Sequence, residues 1–167
     1  MVQAQEKLTA LRAWMASRQL DAVMVPRGDV FQGEEVPASE DRLKYLSGFT
    51  GSAGVAVVTA ADAALFSDGR YSLQMAAEVG PGWTTHTQPD ESITGWLSLH
   101  MPAGTLGLDG HLITCEGWRQ LKASLPDTIK MTALEDNPID AIWTGRPAAP
   151  TAPAWTYPDA YAGRNRH

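Results

Sequence analysis

The chain has 167 residues, 44% of them hydrophobic and 19% charged, and a formal net charge of -6 at pH 7. This length and composition suit one globular domain with its own core and exclude a disordered chain. The lysines and arginines are scattered singly, so the sequence offers no basic stripe to a nucleic-acid partner.

The cysteine content and the N-terminal pattern indicate a reducing compartment and no membrane partner. Cys115 is the single cysteine, so neither an intrachain disulfide nor a thiolate metal cluster can form. Glu6, Lys7 and Arg12 interrupt the apolar residues near the N-terminus, where a secretory signal would need an unbroken apolar stretch. The chain also lacks the run of about 18 apolar residues that a membrane-spanning helix needs. We therefore expect a cytoplasmic protein.

Helical and strand patterns alternate along most of the chain. The predicted helices cover residues 4–19, 39–46, 70–79, 93–100, 114–125 and a short segment from 138, with Ser39, Thr114 and Asn137 as N-caps. The predicted strands cover residues 22–25, 54–59, 63–67, 83–88, 105–109 and 129–134. The second and third strands have the spacing of an antiparallel hairpin. This order predicts an α/β fold with a mixed β-sheet flanked by helices.

The composition changes at Arg146. Prolines are spread among alanines beyond that residue, which is typical of a semi-extended linker. We therefore expect a folded domain over residues 1–145 and a Pro-rich linker over 146–167 that leads to further domains.

Glycines at positions 48, 51 and 54 mark a turn between a predicted helix and a predicted strand. Such a turn could present backbone amides to an anion. A dinucleotide-binding turn has the opposite order, from strand to helix, and a P-loop would need a Gly-Lys-Ser/Thr sequence. We interpret the segment as a structural helix-to-strand turn rather than a ligand cradle.

The segment Asp68-Gly69-Arg70-Tyr71 lies where a predicted strand gives way to a helix. Asp68 is placed to cap the helix, and Gly69 allows a sharp turn. Arg70 falls in the first helical turn, where the helix dipole disfavours a cation. The arginine therefore has a function, forms a salt bridge back to Asp68, or packs through its aliphatic stem.

Metal-binding and nucleophilic patterns are weak. The chain has four histidines, at positions 86, 100, 111 and 167, and none belongs to an H-E-x-x-H motif. Asp109 and His111 come nearest to a metal-binding pair, and we interpret them as a strand-end turn. Cys115 follows His111 by one helical turn but lacks an orienting third group, so a passive cysteine is favoured over a hydrolase nucleophile. We predict no catalytic residue and no metal site.

Three segments together resemble a known family. Residues 42–54 (RLKYLSGFTGSAG) and 64–74 (ALFSDGRYSLQ) are similar to the amino-terminal domain of the Xaa-Pro aminopeptidases, or aminopeptidases P, in the creatinase/prolidase superfamily. Residues 137–143 (NPIDAIW), followed by Arg146 and Pro147, resemble the end of the first domain in the three-domain cytosolic type. The resemblance extends from about Leu8 to Pro153.

The resemblance implies both a fold and a role. It implies a mixed sheet with RNase H-like topology, which closes over a catalytic cleft and assists homodimer assembly. The family removes the N-terminal residue of peptides with proline second, using two divalent metal ions, usually manganese, in a C-terminal domain. We therefore expect this chain to be inactive alone and to serve in substrate gating and assembly.

The resemblance also assigns site residues. Arg70 matches the family arginine that reaches toward bound peptide, with Asp68, Gly69, Tyr71 and Phe49 as supports of its turn. Phe49 is also expected to line the same rim. Several relatives have a histidine near Phe31, which weakens the case for a substrate contact from that loop here. Two alternatives stay open: a stand-alone interaction module without a catalytic partner, and the N-terminal domain of a prolidase or creatinase.

Overall fold

The computed structural model describes residues 2–163 of the chain, with side chains from residue 5 onward. His167 and the last residues of the predicted linker lie outside the described residues. Within this range six strands form one sheet in the order β4-β3-β2-β1-β5-β6. The strands are β1 (Ala22–Pro26), β2 (Val55–Thr59), β3 (Ala63–Asp68), β4 (Thr84–Gln88), β5 (Gly104–Asp109) and β6 (Ile129–Leu134). The helices are α1 (Val2–Ser17), α2 (Arg42–Ser47), α3 (Ser72–Glu78), α4 (Ile93–His100), α5 (Cys115–Ser124) and α6 (Pro138–Ile142).

The sheet is mixed because β2 runs antiparallel to both of its neighbours, whereas the other neighbouring pairs are parallel. The carboxyl ends of β1, β3, β4, β5 and β6 therefore meet at one end of the sheet, where β2 begins. We call this the carboxyl end of the sheet. The predicted mixed sheet flanked by helices is confirmed, and the β1-β2-β3 meander extended by parallel strands agrees with the implied RNase H-like topology.

Helices cover both faces of the sheet, as the alternation along β1 requires. Val23 and Val25 pack with the buried residues of α1, α2 and α6 on one face. Ala22 and Met24 point to the other face and pack with Trp96 of α4 and the partly buried residues of α5. The result is a three-layer α/β/α domain whose loops gather at the two ends of the strands.

Two predicted helix starts differ from the structure. Ser39 is not the N-cap of α2: that helix begins at Arg42, because residues 37–41 close their own turn through a bond from the Glu40 amide to the Pro37 carbonyl. Ser39 is buried instead, and its hydroxyl has no partner among the described residues. The helix predicted over 70–79 begins as a 3-10 turn (Gly69–Tyr71) before α3, because the Asp68 carboxylate accepts the Arg70 amide and tightens the first turn. Asn137 and Pro138 start α6 as predicted.

A network of two arginines and two carboxylates closes the domain near its last helix. Arg42, whose side chain is 5% exposed, donates through Nε and Nη2 to the Asp140 carboxylate at 2.7 and 2.8 Å and through Nη1 to Glu40 at 2.5 Å. Arg146 bonds to the same two carboxylates at 2.7 Å and donates from Nε to the Ser39 carbonyl. Residues from two distant parts of the chain are thereby fixed where the Pro-rich segment begins.

Candidate functional site

Arg70 lies at the carboxyl end of the sheet, directly after β3, and Asp68 holds its side chain. Oδ1 of Asp68 accepts the Arg70 amide at 3.0 Å and Nε at 2.9 Å, and Oδ2 accepts Nη2 at 2.8 Å. The side-chain bond is the main cause that lowers the pKa of Asp68 to about 2, so this carboxylate is ionised at neutral pH. The predicted salt bridge back to Asp68 is thus present. It orients a guanidinium whose side chain is still 68% exposed.

Two aromatic residues and a serine support this turn. The Tyr71 hydroxyl lies 2.6 Å from Oγ of Ser52, and the Arg70 guanidinium carbon is 5.1 Å from the Tyr71 ring centre. Phe49 packs edge-on against Tyr71, with the ring centres 5.6 Å apart. The prediction that Phe49 lines an exposed rim is wrong, because its side chain is buried at 1% exposure. Phe49 lies beneath the turn and supports it from the core.

The glycine-rich turn owes its composition to these aromatic rings. A Cβ atom on Gly51 would lie 2.2 Å from the Phe49 ring and 2.8 Å from the Tyr71 ring, so the site admits only glycine without displacing them. The amide that an anion would use is already engaged: Thr50 donates its N–H and its hydroxyl to the Glu78 carboxylate, both at 2.7 Å. Gln74 also donates to Glu78, at 3.0 Å. The segment is therefore a structural turn closed by α3.

These bonds make the stability of the turn depend on pH. Burial would raise the pKa of Glu78, but hydrogen bonds from the Thr50 side chain and amide and from Gln74 outweigh it and hold the pKa below its ordinary 4.5. A carboxyl with a depressed native pKa stabilises the fold above 4.5, and this contribution is lost as the pH falls through the lower native value. Glu78 should therefore stabilise the domain at neutral pH and stop doing so in acid.

We expect Glu78→Gln to lower the free energy of unfolding by about 1 kcal/mol at pH 7, because the bonds to a charged acceptor weaken. The difference from the wild type should shrink as the pH falls below 4.5. Urea unfolding at pH 7, 5 and 3 measures it. Glu6→Gln, on the exposed surface of α1, is the control and should differ little from wild type at pH 7. A difference for Glu78→Gln that stayed constant with pH would contradict this account.

A second turn of the same construction follows β5. Oδ1 of Asp109 accepts the His111 amide at 2.9 Å and lies 3.1 Å from Nδ1 of the His111 ring. Asn137 donates from its side chain to the other oxygen, Oδ2, at 2.8 Å. Burial acts to raise the pKa of Asp109, but the bonds from Asn137 and from the amide and ring of His111 outweigh it and lower the pKa. The predicted strand-end turn is confirmed.

The turns after β3 and β5 are similar, a similarity that was not predicted from the sequence. Asp68-Gly69-Arg70 and Asp109-Gly110-His111 each end a parallel strand with an aspartate, continue as a 3-10 turn, and hold the side chain two positions later. The repeated Asp-Gly pair after a predicted strand was the available signal. It identifies His111 as the counterpart of Arg70 at the carboxyl end of the sheet.

The loop after β1 lies between these turns. Oδ1 of the buried Asp29 accepts the amides of Phe31 and Gly33 at 2.9 and 3.0 Å, which shapes the loop. Gln32 donates from Nε2 to the His111 carbonyl at 3.4 Å. Phe31 is 87% exposed at the tip of this loop. An exposed aromatic side chain therefore lies next to the His111 turn.

The described residues do not fit a dinuclear metal site. Within residues 2–163, no three His, Cys, Asp or Glu side chains converge in a way that could hold a metal ion. Cys115 is exposed at the start of α5. None of the described helices is long and apolar enough to cross a membrane. What the described residues provide at the carboxyl end of the sheet is a set of positioned side chains.

Comparison with known proteins gives these features a context. A probable Xaa-Pro aminopeptidase P of Talaromyces marneffei is 36% identical over 169 residues, which cover 98% of this chain and 26% of that protein. Xaa-Pro aminopeptidase 2 of Sus scrofa is 33% identical, with 94% of this chain and 24% of that protein covered. The crystal structure of an X-prolyl aminopeptidase from Caenorhabditis elegans, described as a cytosolic enzyme with a di-nuclear active site, superposes with a TM-score of 0.77 at 30% identity.

That superposition covers 89% of this chain and 26% of the Caenorhabditis elegans chain, so this chain spans about a quarter of the length of the relatives it matches. An N-terminal domain of a Corynebacterium diphtheriae metallopeptidase, described as Creatinase/Prolidase like, shares the fold at 22% identity and a TM-score of 0.63. The family model of the Creatinase/Prolidase N-terminal domain matches residues 7–142, most of the chain. The chain therefore belongs to the creatinase/prolidase N-terminal domain family.

Proposed function

We propose that this chain is the N-terminal domain of an Xaa-Pro aminopeptidase, which positions peptide substrates and leaves catalysis to another part of the polypeptide. Its Xaa-Pro aminopeptidase relatives support it, since they are 31–36% identical along nearly the whole chain and about four times as long. The observation that carries the proposal is Arg70, an exposed arginine that a carboxylate holds in place at the carboxyl end of the sheet.

The geometry of Arg70 suits a contact with peptide. Asp68 engages Nε and Nη2, and Nη1 makes no hydrogen bond to any residue in the described range. Because the salt bridge fixes the guanidinium plane, little side-chain entropy remains to be lost when Nη1 donates to a peptide carbonyl or carboxylate. Tyr71 and Ser52 limit the movement of the turn. The proposed role of Arg70 is therefore to orient substrate across a cleft, with no part in bond cleavage.

The proposal also covers the metal ions, the cellular location and the assembly of the enzyme. The dinuclear site of the Caenorhabditis elegans relative supports a metal-dependent hydrolase with two divalent ions, which we propose to be manganese, in the part of the polypeptide beyond this domain. That relative is called cytosolic, which supports a cytoplasmic location. Residues 146–167 would connect the two parts, and the domain would take part in homodimer assembly.

The first experiment compares this chain with the longer polypeptide expected from its gene. The 167-residue chain should not cleave Xaa-Pro peptides with manganese present, since its described residues supply no metal ligand set. The longer polypeptide should cleave them. If the reading frame ends near His167, or if the longer polypeptide is inactive on such peptides with each of the common divalent ions, the chain is an interaction module and the proposal is overturned.

Arg70→Ala in the longer polypeptide should raise KM for an Xaa-Pro tripeptide about tenfold and change kcat by less than threefold, because a charge-assisted bond to bound substrate is lost. Arg119→Ala is a matched control, since that arginine is also exposed but lies on α5. Steady-state kinetics measure both variants. Equal KM values for Arg70→Ala, Arg119→Ala and wild type would rule out a substrate contact from Arg70.

A further inference from the structure

His111 shares its setting with Arg70. Both side chains follow a parallel strand by two positions, both are held by the aspartate that ends the strand, and both are about 70% exposed, at 70% and 68%. The same arrangement thus occurs twice in the domain, after β3 and after β5. An imidazole on a flexible surface loop would explore many orientations, whereas the buried Asp109 carboxylate holds this residue through one hydrogen bond from its backbone amide and one with its ring.

The bond to Asp109 also determines the chemistry of the ring. An ionised carboxylate only accepts hydrogen bonds, so Nδ1 of His111 carries the proton and Nε2 of the neutral ring is an acceptor. Asn137 bonds to the other carboxylate oxygen at 2.8 Å and prevents the aspartate from turning away. The exposed Nε2 can therefore accept a hydrogen bond from a donor such as a peptide N–H.

The spacing between the two turns corresponds to a stretch of peptide. β3 and β5 are separated by β2 and β1, which makes three steps between neighbouring strands. At about 4.8 Å per step the two strands are roughly 14 Å apart, and the strand register places Asp68 three residues, or about 10 Å, further along the sheet than Asp109, so the turns lie roughly 17 Å apart. An extended peptide advances about 3.4 Å per residue, so roughly five residues would bridge that distance. The exposed Phe31 and the half-exposed Val30 lie on the loop between them and offer apolar contacts to that stretch.

We infer that His111 is a second substrate-positioning residue, which accepts a hydrogen bond from the backbone of peptides long enough to extend about five residues beyond the Arg70 contact. The inference rests on the proposed function. It names the substrate class of that site: peptides longer than the tripeptide that Arg70 alone can orient. The loop of Phe31 differs from that of several relatives, as described above. This difference does not affect the inference, because the substrate contact is assigned to His111 in the neighbouring turn.

The test uses the longer polypeptide with a tripeptide and an octapeptide that have the same first three residues, with proline second. His111→Leu removes the acceptor and should lower kcat/KM for the octapeptide about fivefold, the expected loss for one hydrogen bond, while the tripeptide value stays within twofold. His111→Gln restores an acceptor and should recover most of the octapeptide value. His100→Leu is the control, since its Nδ1 also lies 3.0 Å from a carboxylate but in a different part of the molecule, at the end of α4.

The outcomes separate the two proposals. If Arg70→Ala impairs both peptides and His111→Leu impairs neither or both equally, the proposed function stands and the role of His111 is overturned. If the longer polypeptide cleaves no Xaa-Pro peptide, both fall together. Circular dichroism and the thermal midpoint of each variant establish that it is folded. If His111→Leu does not fold, His111→Lys, which replaces the acceptor with a donor, is compared on the same two peptides and should show the same loss for the octapeptide.

Discussion

Replacement of Arg42 by leucine is expected to lower the free energy of unfolding of the domain by about 3 kcal/mol. Burial opposes the charge of Arg42, but the bonds to Asp140 and Glu40 outweigh it and raise its pKa, so the guanidinium stays charged. Leucine would leave these two carboxylates, whose side chains are 29% and 18% exposed, near each other with Arg146 as their remaining cation. The figure is the lower end of the range for a broken buried pair because water reaches both partners.

Urea unfolding of the 167-residue chain, followed by tryptophan fluorescence, measures the effect. Arg119→Leu supplies the matched control, since it removes an arginine whose side chain is 74% exposed, and should change the free energy by less than about 0.5 kcal/mol. Arg42→Lys should fall between wild type and leucine, because an ammonium keeps the charge but cannot bind both carboxylates as a planar fork. A loss below 1 kcal/mol for Arg42→Leu would show that Arg146 alone neutralises the pair.

Local sequence signals explain why most of the fold could be predicted. The hairpin between β2 and β3 follows from two apolar runs separated by three residues, 60–62, and α6 follows from Asn137 before Pro138. In each case the residues that determine the local structure are only a few positions apart, so their pattern can be recognised in the sequence. The prediction of Ser39 as an N-cap was wrong because a turn closed by Pro37 and Glu40 forms there instead. Residue propensities alone do not show which of these two local structures is more stable.

The site was less predictable because its contacts cross the chain. Arg42 meets Asp140 over a separation of 98 residues, and Thr50 meets Glu78 over 28. The sequence did indicate the bond between Arg70 and Asp68, which are two positions apart. It did not indicate that Phe49 would be buried under Tyr71, since a phenylalanine between glycines in a loop is equally compatible with exposure. Tertiary packing decides that question.

The burial of Phe49 leads to the second large effect that we expect. Phe49→Ala should destabilise the domain by about 3–5 kcal/mol, the usual range for deletion of a buried phenyl ring, since the surrounding helix and turn can collapse only partly into the space. Its ring packs against Tyr71 and contacts the positions of Gly51 and Gly54, so the cavity would open directly beneath the Arg70 turn. Phe49→Leu keeps most of the volume and should cost about 1–2 kcal/mol.

Phe31→Ala is the matched control, because it removes the same side chain from a position that is 87% exposed and should shift the urea midpoint very little. Comparison of these two variants also tests whether Phe49 is buried or lines the rim, as the resemblance suggested. If Phe49→Ala and Phe31→Ala had equally small effects, Phe49 would have to be solvent-exposed, and the packing described for the turn would be wrong. If Phe49→Leu remains folded in the longer polypeptide yet raises KM for the tripeptide, the ring acts on substrate through Tyr71 and Arg70, since its own surface does not reach solvent.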